Sequence, residues 1–219
     1  MVEKLLKTIT EMISFNDKNI TKELVVSRYN EDVAWLKQIN CVDKITLYNK
    51  GNDIDIPYIR LDNTNREAHT YFYHIVSNYN NLADVTLFCQ GNPFEHMQRD
   101  ITPANLNEKM NGVIIDEDGV MPLLHYLDWK TELSTGCSKN PLYSLLLDGN
   151  EPDSGALIVN GAQLVVLKEN ILSKSYEFYT KCLNELHHDK KSWDDGIFNA
   201  WMFESMWLYI FDKNIREKI

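Results

Sequence analysis

The chain has 219 residues, of which 44% are hydrophobic and 25% are charged, and its formal net charge is −10. This length and composition predict one folded domain with a sizeable core and exclude wholesale disorder. The negative charge argues against a nucleic-acid binder or a protein held on anionic lipid, since either needs a basic surface, but a few local donors would still bind a nucleotide sugar.

The cysteines and the hydrophobic runs indicate the compartment. Cys41, Cys89, Cys137 and Cys182 are far apart and form no Cys-x-x-Cys pair. This spacing predicts neither a disulfide framework nor a zinc site, which fits a reducing compartment. No apolar run reaches the roughly 18 residues of a membrane span, and the first residues lack a signal-peptide core. We therefore expect a cytoplasmic protein without a transmembrane segment, and the oligomeric state is left open.

The first predicted element is an amphipathic helix at residues 2–14, where six apolar side chains recur at helical spacing. The predicted organisation is an N-terminal helix, residues 1–20, packed on a single α/β domain at residues 21–219. A helix lying on a membrane surface is the alternative interpretation.

The next elements are a strand at residues 24–26 and a short helix whose apolar face includes Val33 and Leu36. The turn between them consists of Arg28, Tyr29, Asn30, Glu31 and Asp32. One interpretation is structural, with Asn30 as the helix N-cap and the two acids favouring the helix dipole. The other is that this turn contacts a base or a ribose. Two acids there would repel a phosphate, and no P-loop or Gly-x-Gly-x-x-Gly motif occurs in the chain.

A second strand is predicted at residues 44–50, and an extended edge segment containing Pro57 follows at residues 54–61. A third strand is predicted at residues 85–89, because a short apolar run there is stopped by Gly91 and Pro93. With helices between the strands, this order predicts a mostly parallel sheet with right-handed crossovers.

The helix before the third strand is predicted at residues 64–79, and Thr64 and Glu67 have the spacing of a capping box. Arg66 and His69 fall in its first turn, off the apolar stripe. An arginine there opposes the helix dipole, a cost that an anionic ligand would offset. A solvated first turn is the alternative interpretation.

Four polar side chains follow the third strand within seven residues: Gln90, Asn92, Glu95 and His96. Ligands of open α/β sheets bind just beyond the carboxyl ends of the strands. If this strand is central, we expect these side chains at the ligand site.

Three later stretches contain further predicted elements or candidate site residues. Asp116 and Asp118 follow a strand run at residues 112–120 and would suit a divalent ion bridging a diphosphate or, more simply, an acidic hairpin turn. Two short strands are predicted around Asn160 and Gly161. In the last helix, Glu204 has apolar neighbours one turn before and after it, which predicts a carboxylate facing the interior. Such a group is either a structural acid paired with an arginine or a hydroxyl, or a catalytic base or a group that holds a ligand.

Six segments together resemble a known family. They read, in order between residues 24 and 211, VVSRYNEDVAWL, ITLYNKG, NREAHTYFYHIV, NLADVTLFCQGNPFEH, GAQLVV and FESMWLYIF. They resemble the uncharacterised domain-of-unknown-function family 3431, whose members carry RYNED, LYNKG, REAxTYLxHI, FLQGxPFxH, GAQF and FERLWHxIF segments. That family is in turn similar, at the level of the fold, to GT-A glycosyltransferases. The resemblance implies an α/β fold, a single-domain Rossmann-like (GT-A-like) mostly parallel sheet flanked by helices.

The resemblance also implies a set of site residues. The matching positions are Arg28, Tyr29, Asn30, Glu31 and Asp32 in the first loop, Arg66, Glu67 and His69 at the helix start, Gln90, Gly91, Asn92, Pro93 and His96 in the central motif, and Gly161, Ala162, Gln163, Glu204 and Trp207 in the later segments. The chain departs from the family at Ser205 and Leu208, where an arginine and a histidine are usual. It also has Gln90-Gly91-Asn92 where GT-A enzymes carry Asp-x-Asp, so a divalent Mn or Mg cofactor and metal-independent binding are both left open.

These expectations combine into one hypothesis, a glycosyltransferase that moves a sugar from a nucleotide-sugar donor to a hydroxyl of a glycan or glycoprotein acceptor. The first loop would hold the nucleoside, and Arg66 with His69 would neutralise the diphosphate. Glu204 and His96 are the catalytic candidates, with Glu204 as the base on the acceptor hydroxyl. The alternatives are an inactive glycan- or nucleotide-binding module and a metal-dependent hydrolase built on His96 and Glu95 or on the Asp116–Asp118 pair.

Overall fold

A computed structural model of the protein describes residues 13–95, 97–115, 119–124, 127–130, 156–159, 162–188 and 199–211. The strands in these ranges are β1 (Ile13–Ser14), β2 (Lys22–Arg28), β3 (Lys44–Asn49), β4 (Ile59–Arg60), β5 (Val85–Gln90), β6 (Ile114–Ile115), β7 (Val120–Pro122), β8 (Leu127–Lys130), β9 (Ala156–Val159) and β10 (Leu164–Leu167). The helices are α1 (Arg66–Asn78), α2 (Leu106–Asn111), α3 (Lys168–Ile171), α4 (Tyr176–His188) and α5 (Asn199–Phe211), with 3-10 turns at Ala34–Gln38 and Pro93–Glu95.

The described residues place six strands in one mixed sheet of order β4-β3-β2-β5-β10-β7. The first four strands are parallel to one another, and β10 runs antiparallel to both of its neighbours. Two-stranded antiparallel pairs, β1 with β6 and β8 with β9, lie outside this sheet.

The central strands β2 and β5 are buried on both faces, which is why they read as continuous apolar runs. Val25 and Phe88 belong to the core on one face, together with residues of α1, α4 and α5. Leu24 and Val26 belong to the core on the other face, with the turn Ala34–Gln38 and α2. The alternation of successive side chains along β2 thus produces a layer on each side of the sheet.

Helix α5 contributes an aromatic stack to the first core. The ring of Trp207 is stacked on that of Phe211, with centroids 5.8 Å apart and an angle of 6° between the planes, and it also contacts Tyr71 and Phe72 of α1. Trp207 is 1% exposed. The burial of such rings dominates core energetics, so α5 is fixed against α1 by this cluster.

The path of the chain determines where a ligand site is expected. From β2 the chain moves outward through β3 to β4, and α1 then returns it to the other side of β2 to form β5. The chain leaving β2 therefore leads to β3 on one side, and the chain leaving β5 leads to β7 and β10 on the other, so the strand order reverses between β2 and β5. In open α/β sheets this point is the crevice in which ligands bind.

The structure confirms the mixed α/β sheet with mostly parallel strands and the strands predicted at residues 24–26, 44–50 and 85–89. The extended segment at residues 54–61 supplies the short edge strand β4. The single-domain division into residues 1–20 and 21–219 stays a prediction. Within the described residues, no helix combines the length and apolar character that crossing a bilayer requires.

Two predicted helix starts are wrong. The element after β2 is a 3-10 turn whose N-cap position is Val33, and Asn30 instead accepts a hydrogen bond from the backbone N–H of Asn52. The capping box at Thr64 and Glu67 is also absent, because α1 begins after Asn65, which makes no side-chain cap hydrogen bond. Thr64 therefore lies one residue before the N-cap position.

The end of the predicted first helix and the hairpin considered at residues 112–120 also need correction. Residues 1–12 lie outside the described residues, but Ile13 and Ser14, predicted to end a helix, form β1 and pair with β6. Strands β6 and β7 do not form the hairpin considered for residues 112–120, since β7 pairs with β10. Asp116 and Asp118 lie outside the described residues. β9 and β10 are both present, yet each pairs with a different strand.

Candidate functional site

A cleft of about 380 Å³ lies at the carboxyl ends of β2 and β5 and beside the start of α1. We call it the switch-point cleft. Its lining residues are Ser27, Arg28, Tyr29, Glu31, Lys50, Asn63, Arg66, Glu67, Gln90, Asn92 and Glu95. Cations, carboxylates and amides all contribute to this wall, which suits a polar ligand with anionic parts.

Arg28, the last residue of β2, organises the loops that form one side of the cleft. Its Nε donates to the carbonyl of Glu31 at 2.9 Å, and its Nη1 donates to Asn49 Oδ1 at 2.7 Å. The same Nη1 donates to the carbonyls of Tyr29 and Asn52, each at 2.9 Å. Arg28 is only 6% exposed. Its main role in the structure is therefore to tie the loop after β2 to the loop after β3.

Gly51 allows these two loops to approach closely. A Cβ atom at this position would lie 1.7 Å from the carbonyl oxygen of Tyr29, a distance that no side chain can accommodate. Asn52 completes the contact by donating its backbone N–H to Asn30 Oδ1 at 2.9 Å. Asn30 and Asp32 do not line the cleft but a neighbouring depression of about 330 Å³.

Glu31 bridges the ends of β2 and β5. Its Oε2 accepts a hydrogen bond from the backbone N–H of Tyr29 at 2.6 Å, and a Cβ atom on Gly91 would lie 2.6 Å from that oxygen. The carbonyl of Gly91 accepts a hydrogen bond from Trp35 Nε1 at 2.9 Å. Gly91 thus serves as a close-approach position, and its lack of a side chain makes room for the carboxylate.

Lys50 is a buried amine in the wall of the cleft, immediately after β3. It is 7% exposed, and its Nζ donates hydrogen bonds to the carbonyls of Thr64, at 2.7 Å, and Arg66. Burial lowers the pKa of Lys50 to about 7, and the nearby Glu67 carboxylate acts in the opposite direction. An anionic ligand in the cleft would favour the charged form of this amine.

The start of α1 is strained, and it faces the cleft. Asn65 and Arg66 both have left-handed backbone conformations, with φ of 44° and 48°. Residues other than glycine rarely adopt this backbone conformation, and those that do concentrate at functional sites. Arg66 is exposed and Glu67 is buried in the cleft wall. His69 does not reach the wall, because it is 1% exposed and stacks on Tyr73 with centroids 6.3 Å apart.

Beyond β5, the partly exposed Gln90 and Asn92 form the opposite wall. Asn92 Nδ2 donates to Glu95 Oε1 at 3.0 Å, so these two side chains act as a pair. The turn that carries them is held from behind by Gln163, whose Nε2 donates to the carbonyl of Pro93 at 3.0 Å. Gln163 is fully buried and lies outside the cleft lining.

Ala162 has a similar supporting position. It is fully buried with φ of 51°, and its carbonyl accepts a hydrogen bond from the Tyr71 hydroxyl at 3.0 Å. Gly161 lies outside the described residues. The segment that resembles the family's GAQF motif therefore positions the central motif, as far as its described side chains show.

The two catalytic candidates fall outside what the structure describes. His96 is not among the described residues, and Glu204 belongs to α5 but its side chain is not described. The neighbours Phe203, Met206 and Trp207 on that helix are buried in the core. Asp116 and Asp118 are likewise outside, and no group of three or more metal-ligating side chains occurs in the described part of the chain.

The structure brings Arg28, Tyr29, Glu31, Arg66, Gln90 and Asn92 together at one cleft beside the ends of β2 and β5, and their role in binding a ligand stays a prediction. Sequence reasoning missed Lys50 as a site residue, although it immediately follows β3 and so lies at the same edge of the sheet. Glu95 was expected at the ligand site with Gln90 and Asn92, and Glu67 was both explained as a cap and included among the positions that the resemblance implies. The signal that was available for Lys50 was a charged residue between an apolar strand and a glycine.

Comparison with known proteins gives a family but no further relative. No curated protein and no solved structure matched the chain. The sequence profile described as "Protein of unknown function (DUF3431)" matches residues 24–156, which include all the residues that line the switch-point cleft. Residues 161–163 and Glu204 lie beyond the matched range. Because the profile covers more than half of the 219 residues, the chain belongs to the family "Protein of unknown function (DUF3431)".

Proposed function

We propose that the switch-point cleft binds a nucleotide sugar and that the protein transfers the sugar to a hydroxyl of a glycan or glycoprotein. The observation that carries this proposal is the meeting of Arg66, Lys50 and the amides of Gln90 and Asn92 at the reversal of strand order. Nucleotide ligands of open α/β sheets bind at such positions.

The cations in the cleft suit the diphosphate. Arg66 is exposed on the wall, and its guanidinium can pair with phosphate oxygens in a bidentate manner. The 13-residue helix α1 begins at Arg66, so its dipole adds to the positive potential there. Lys50 lies in the same wall but is buried. Binding of the diphosphate would favour the charged amine and would offset part of the cost of its burial.

The remaining wall suits the two uncharged parts of the donor. The ring of Tyr29 is 49% exposed at the rim and offers a flat surface to a base. Gln90 and Asn92 carry amide donors and acceptors that match sugar hydroxyls. The cleft volume of about 380 Å³ lies within the range of small-molecule sites, roughly 300–1,000 Å³.

The proposed reaction is a displacement at the anomeric carbon. The acceptor oxygen forms a bond to that carbon while the bond to the diphosphate breaks, and the electron pair leaves with the diphosphate. The hydroxyl proton passes to a carboxylate or imidazole, for which Glu204 and His96 are the proposed groups. Asp116 and Asp118 are the proposed ligands if a divalent ion assists the departure of the diphosphate.

The test is a thermal-stability screen of nucleotide sugars and nucleoside diphosphates, each with and without Mn²⁺. A ligand at 100 times its Kd should add about 2.7 kcal/mol to the free energy of unfolding. We expect one nucleotide to raise the Tm of the wild-type protein and of the Arg99→Ala variant, whose exposed arginine lies outside the cleft lining, but not of Arg66→Ala.

The second half of the test is turnover. Incubation of the selected nucleotide sugar with hydroxyl acceptors should release the free nucleoside diphosphate together with a glycosylated product. Binding without turnover would instead indicate the inactive binding module. Metal-dependent cleavage without any acceptor would indicate the hydrolase. A screen in which no nucleotide distinguishes Arg66→Ala from Arg99→Ala would contradict the proposal.

A further inference from the structure

A second cavity, of about 440 Å³, adjoins the switch-point cleft. Glu31 and Asn92 line both spaces and so form the wall between them. We call the second space the aromatic cavity, because Trp35 and Phe94 also line it. A ligand in this cavity would lie directly beside a ligand in the switch-point cleft.

The two aromatic rings are held in a fixed arrangement. Trp35 and Phe94 meet edge to face, with centroids 5.7 Å apart and planes at 85°. The indole N–H of Trp35 is already bonded to the carbonyl of Gly91, and Trp35 is 6% exposed. Phe94 is half-buried and is therefore the ring that offers an apolar face to a ligand.

The polar groups of the aromatic cavity differ in charge from those of the cleft. Its described lining contains the carboxylates of Glu31 and Asp32 and the amides of Gln38 and Asn92, but no lysine or arginine. The cleft, by contrast, carries Arg28, Lys50 and Arg66 beside its carboxylates Glu31, Glu67 and Glu95. The aromatic cavity is thus unsuited to a phosphate, and it is rich in acceptors for hydroxyl donors.

Both carboxylates keep free acceptor capacity. Glu31 uses Oε2 to accept from the Tyr29 N–H at 2.6 Å, and Asp32 uses Oδ1 to accept from the Ala34 N–H at 2.8 Å. Each of these bonds fixes the orientation of a carboxylate whose other oxygen remains able to accept. The side chains are therefore positioned before any ligand arrives, which reduces the cost of binding.

We propose that the aromatic cavity binds the acceptor, a neutral oligosaccharide whose ring packs on Phe94 and whose hydroxyls donate to Glu31, Asp32 and Gln38. The assignment rests on the proposed function, because the shared wall of Glu31 and Asn92 brings an acceptor hydroxyl next to the donor sugar. Neutral sugars combine apolar ring faces with many hydroxyl donors, and this lining has the complementary groups.

The experiment uses saturation-transfer NMR on the full chain with maltotriose, cellotriose, chitotriose and mannotriose, and with spermidine as a cationic probe. We expect a signal from at least one trisaccharide. Phe94→Ala should weaken its binding about tenfold, whereas Phe94→Trp, which keeps an aromatic face, should retain it. Tyr176→Ala removes an exposed aromatic residue on α4, outside the lining, and serves as the matched control.

Gln38→Ala provides a second variant if the loss of Phe94 prevents folding, since Gln38 is exposed and touches the aromatic cavity but not the cleft. It should weaken trisaccharide binding while the Tm shift caused by a nucleotide stays at the wild-type value. Nucleotide binding without any trisaccharide signal would overturn the acceptor site and leave the proposed donor site intact. A trisaccharide signal lost in Phe94→Ala, with no nucleotide bound, would preserve a sugar site and overturn the transferase. Binding of spermidine alone would overturn the assignment to neutral sugars.

Discussion

The ammonium of Lys50 donates a hydrogen bond to the carbonyl oxygen of Thr64 at 2.7 Å, and the same group reaches the carbonyl of Arg66. A side chain at the end of β3 thereby holds the left-handed turn at Asn65 and Arg66, from which α1 starts. The protonation of Lys50 and the conformation of the turn that carries Arg66 are therefore coupled. A ligand that changes the protonation of Lys50 must also act on that turn.

The first prediction concerns the pH dependence of anion binding. Burial lowers the pKa of Lys50 to about 7, so the free protein loses this charge as the pH rises above 7. We expect the affinity for a nucleoside diphosphate to fall between pH 7 and pH 9, by up to about tenfold per unit. Isothermal titration calorimetry at several pH values measures the slope.

Two variants test the origin of that slope. Lys50→Met removes the titrating group and should bind more weakly at pH 7, with little further change up to pH 9. Lys50→Arg keeps its charge over the whole range, so its affinity should also be flat. A slope that survives in both variants would assign the titration to another group.

The second prediction concerns Gly91 and Glu31. Because a Cβ atom on Gly91 would lie 2.6 Å from Glu31 Oε2, Gly91→Ala should displace the carboxylate and reduce the free energy of unfolding by about 1–3 kcal/mol. Chemical denaturation measures this loss. At Gly112 the nearest atom to a Cβ is 3.4 Å away, so Gly112→Ala should change stability by only about 0.5 kcal/mol.

A double variant isolates the contact. If the clash with the carboxylate is the cause, Gly91→Ala should cost much less in a Glu31→Ala background, and the coupling energy should be about 1 kcal/mol or more. Additive effects of the two substitutions would show that the cost of Gly91→Ala arises in the backbone instead.

The central strands and the cleft position followed from local pattern. The apolar runs of β2 and β5 are long enough to identify strands, and their polar continuations, Arg28 and Gln90, necessarily meet at one edge of a parallel sheet. This rule required no knowledge of distant contacts. It accounts for the meeting of the first loop and the central motif at one cleft, and their role in binding stays a prediction.

The predictions that were wrong depend on contacts between segments far apart in sequence. Thr64 has the spacing of a cap, but Lys50, which follows β3, donates a hydrogen bond to its carbonyl, and the chain enters α1 one residue later. The hairpin considered for residues 112–120 does not form, because β7 pairs with the distant strand β10. Local sequence carries no signal for such partners.

Burial likewise separated residues that the sequence had grouped together. Arg66 and His69 lie one turn apart, yet Arg66 is exposed on the cleft while His69 packs on Tyr73 inside. Gln163 has the same side-chain chemistry as Gln90, but its amide is used by the carbonyl of Pro93. Whether a polar side chain is available to a ligand or is used within the fold depends on how deeply it is buried. The order of residue types in the sequence does not specify that burial.

The third prediction concerns Arg28. Its guanidinium makes four hydrogen bonds to the two loops while 6% exposed, and a lysine cannot reproduce that planar arrangement. Arg28→Lys should therefore reduce the free energy of unfolding by about 2–4 kcal/mol despite the conserved charge. Arg99→Lys, at an exposed position in a turn, should change stability by less than about 0.5 kcal/mol. Equal Tm values for the two variants would contradict the structural role of Arg28.

The fourth prediction concerns a buried polar cluster formed by His74 of α1, Tyr48 of β3 and Glu23 of β2. His74 is fully buried, its Nδ1 lies 3.1 Å from the Tyr48 hydroxyl, and its Nε2 lies 3.9 Å from Glu23 Oε2. Burial lowers the pKa of His74 from 6.5 to about 4, with Glu23 acting in the opposite direction and Lys44 in the same direction as burial. The folded protein therefore keeps this ring neutral over a range in which the unfolded chain protonates it.

The sign of the resulting pH dependence follows from that difference. The stabilising effect of the neutral ring is fully present above pH 6.5 and is lost progressively as the pH falls towards 4, because protons bind preferentially to the unfolded state. The whole change corresponds to about 3 kcal/mol in the free energy of unfolding. Urea denaturation between pH 4 and pH 7 should show this decline in the wild-type protein. In His74→Gln the decline should be smaller by that amount, and an unchanged slope would mean that carboxylates elsewhere account for the acid sensitivity.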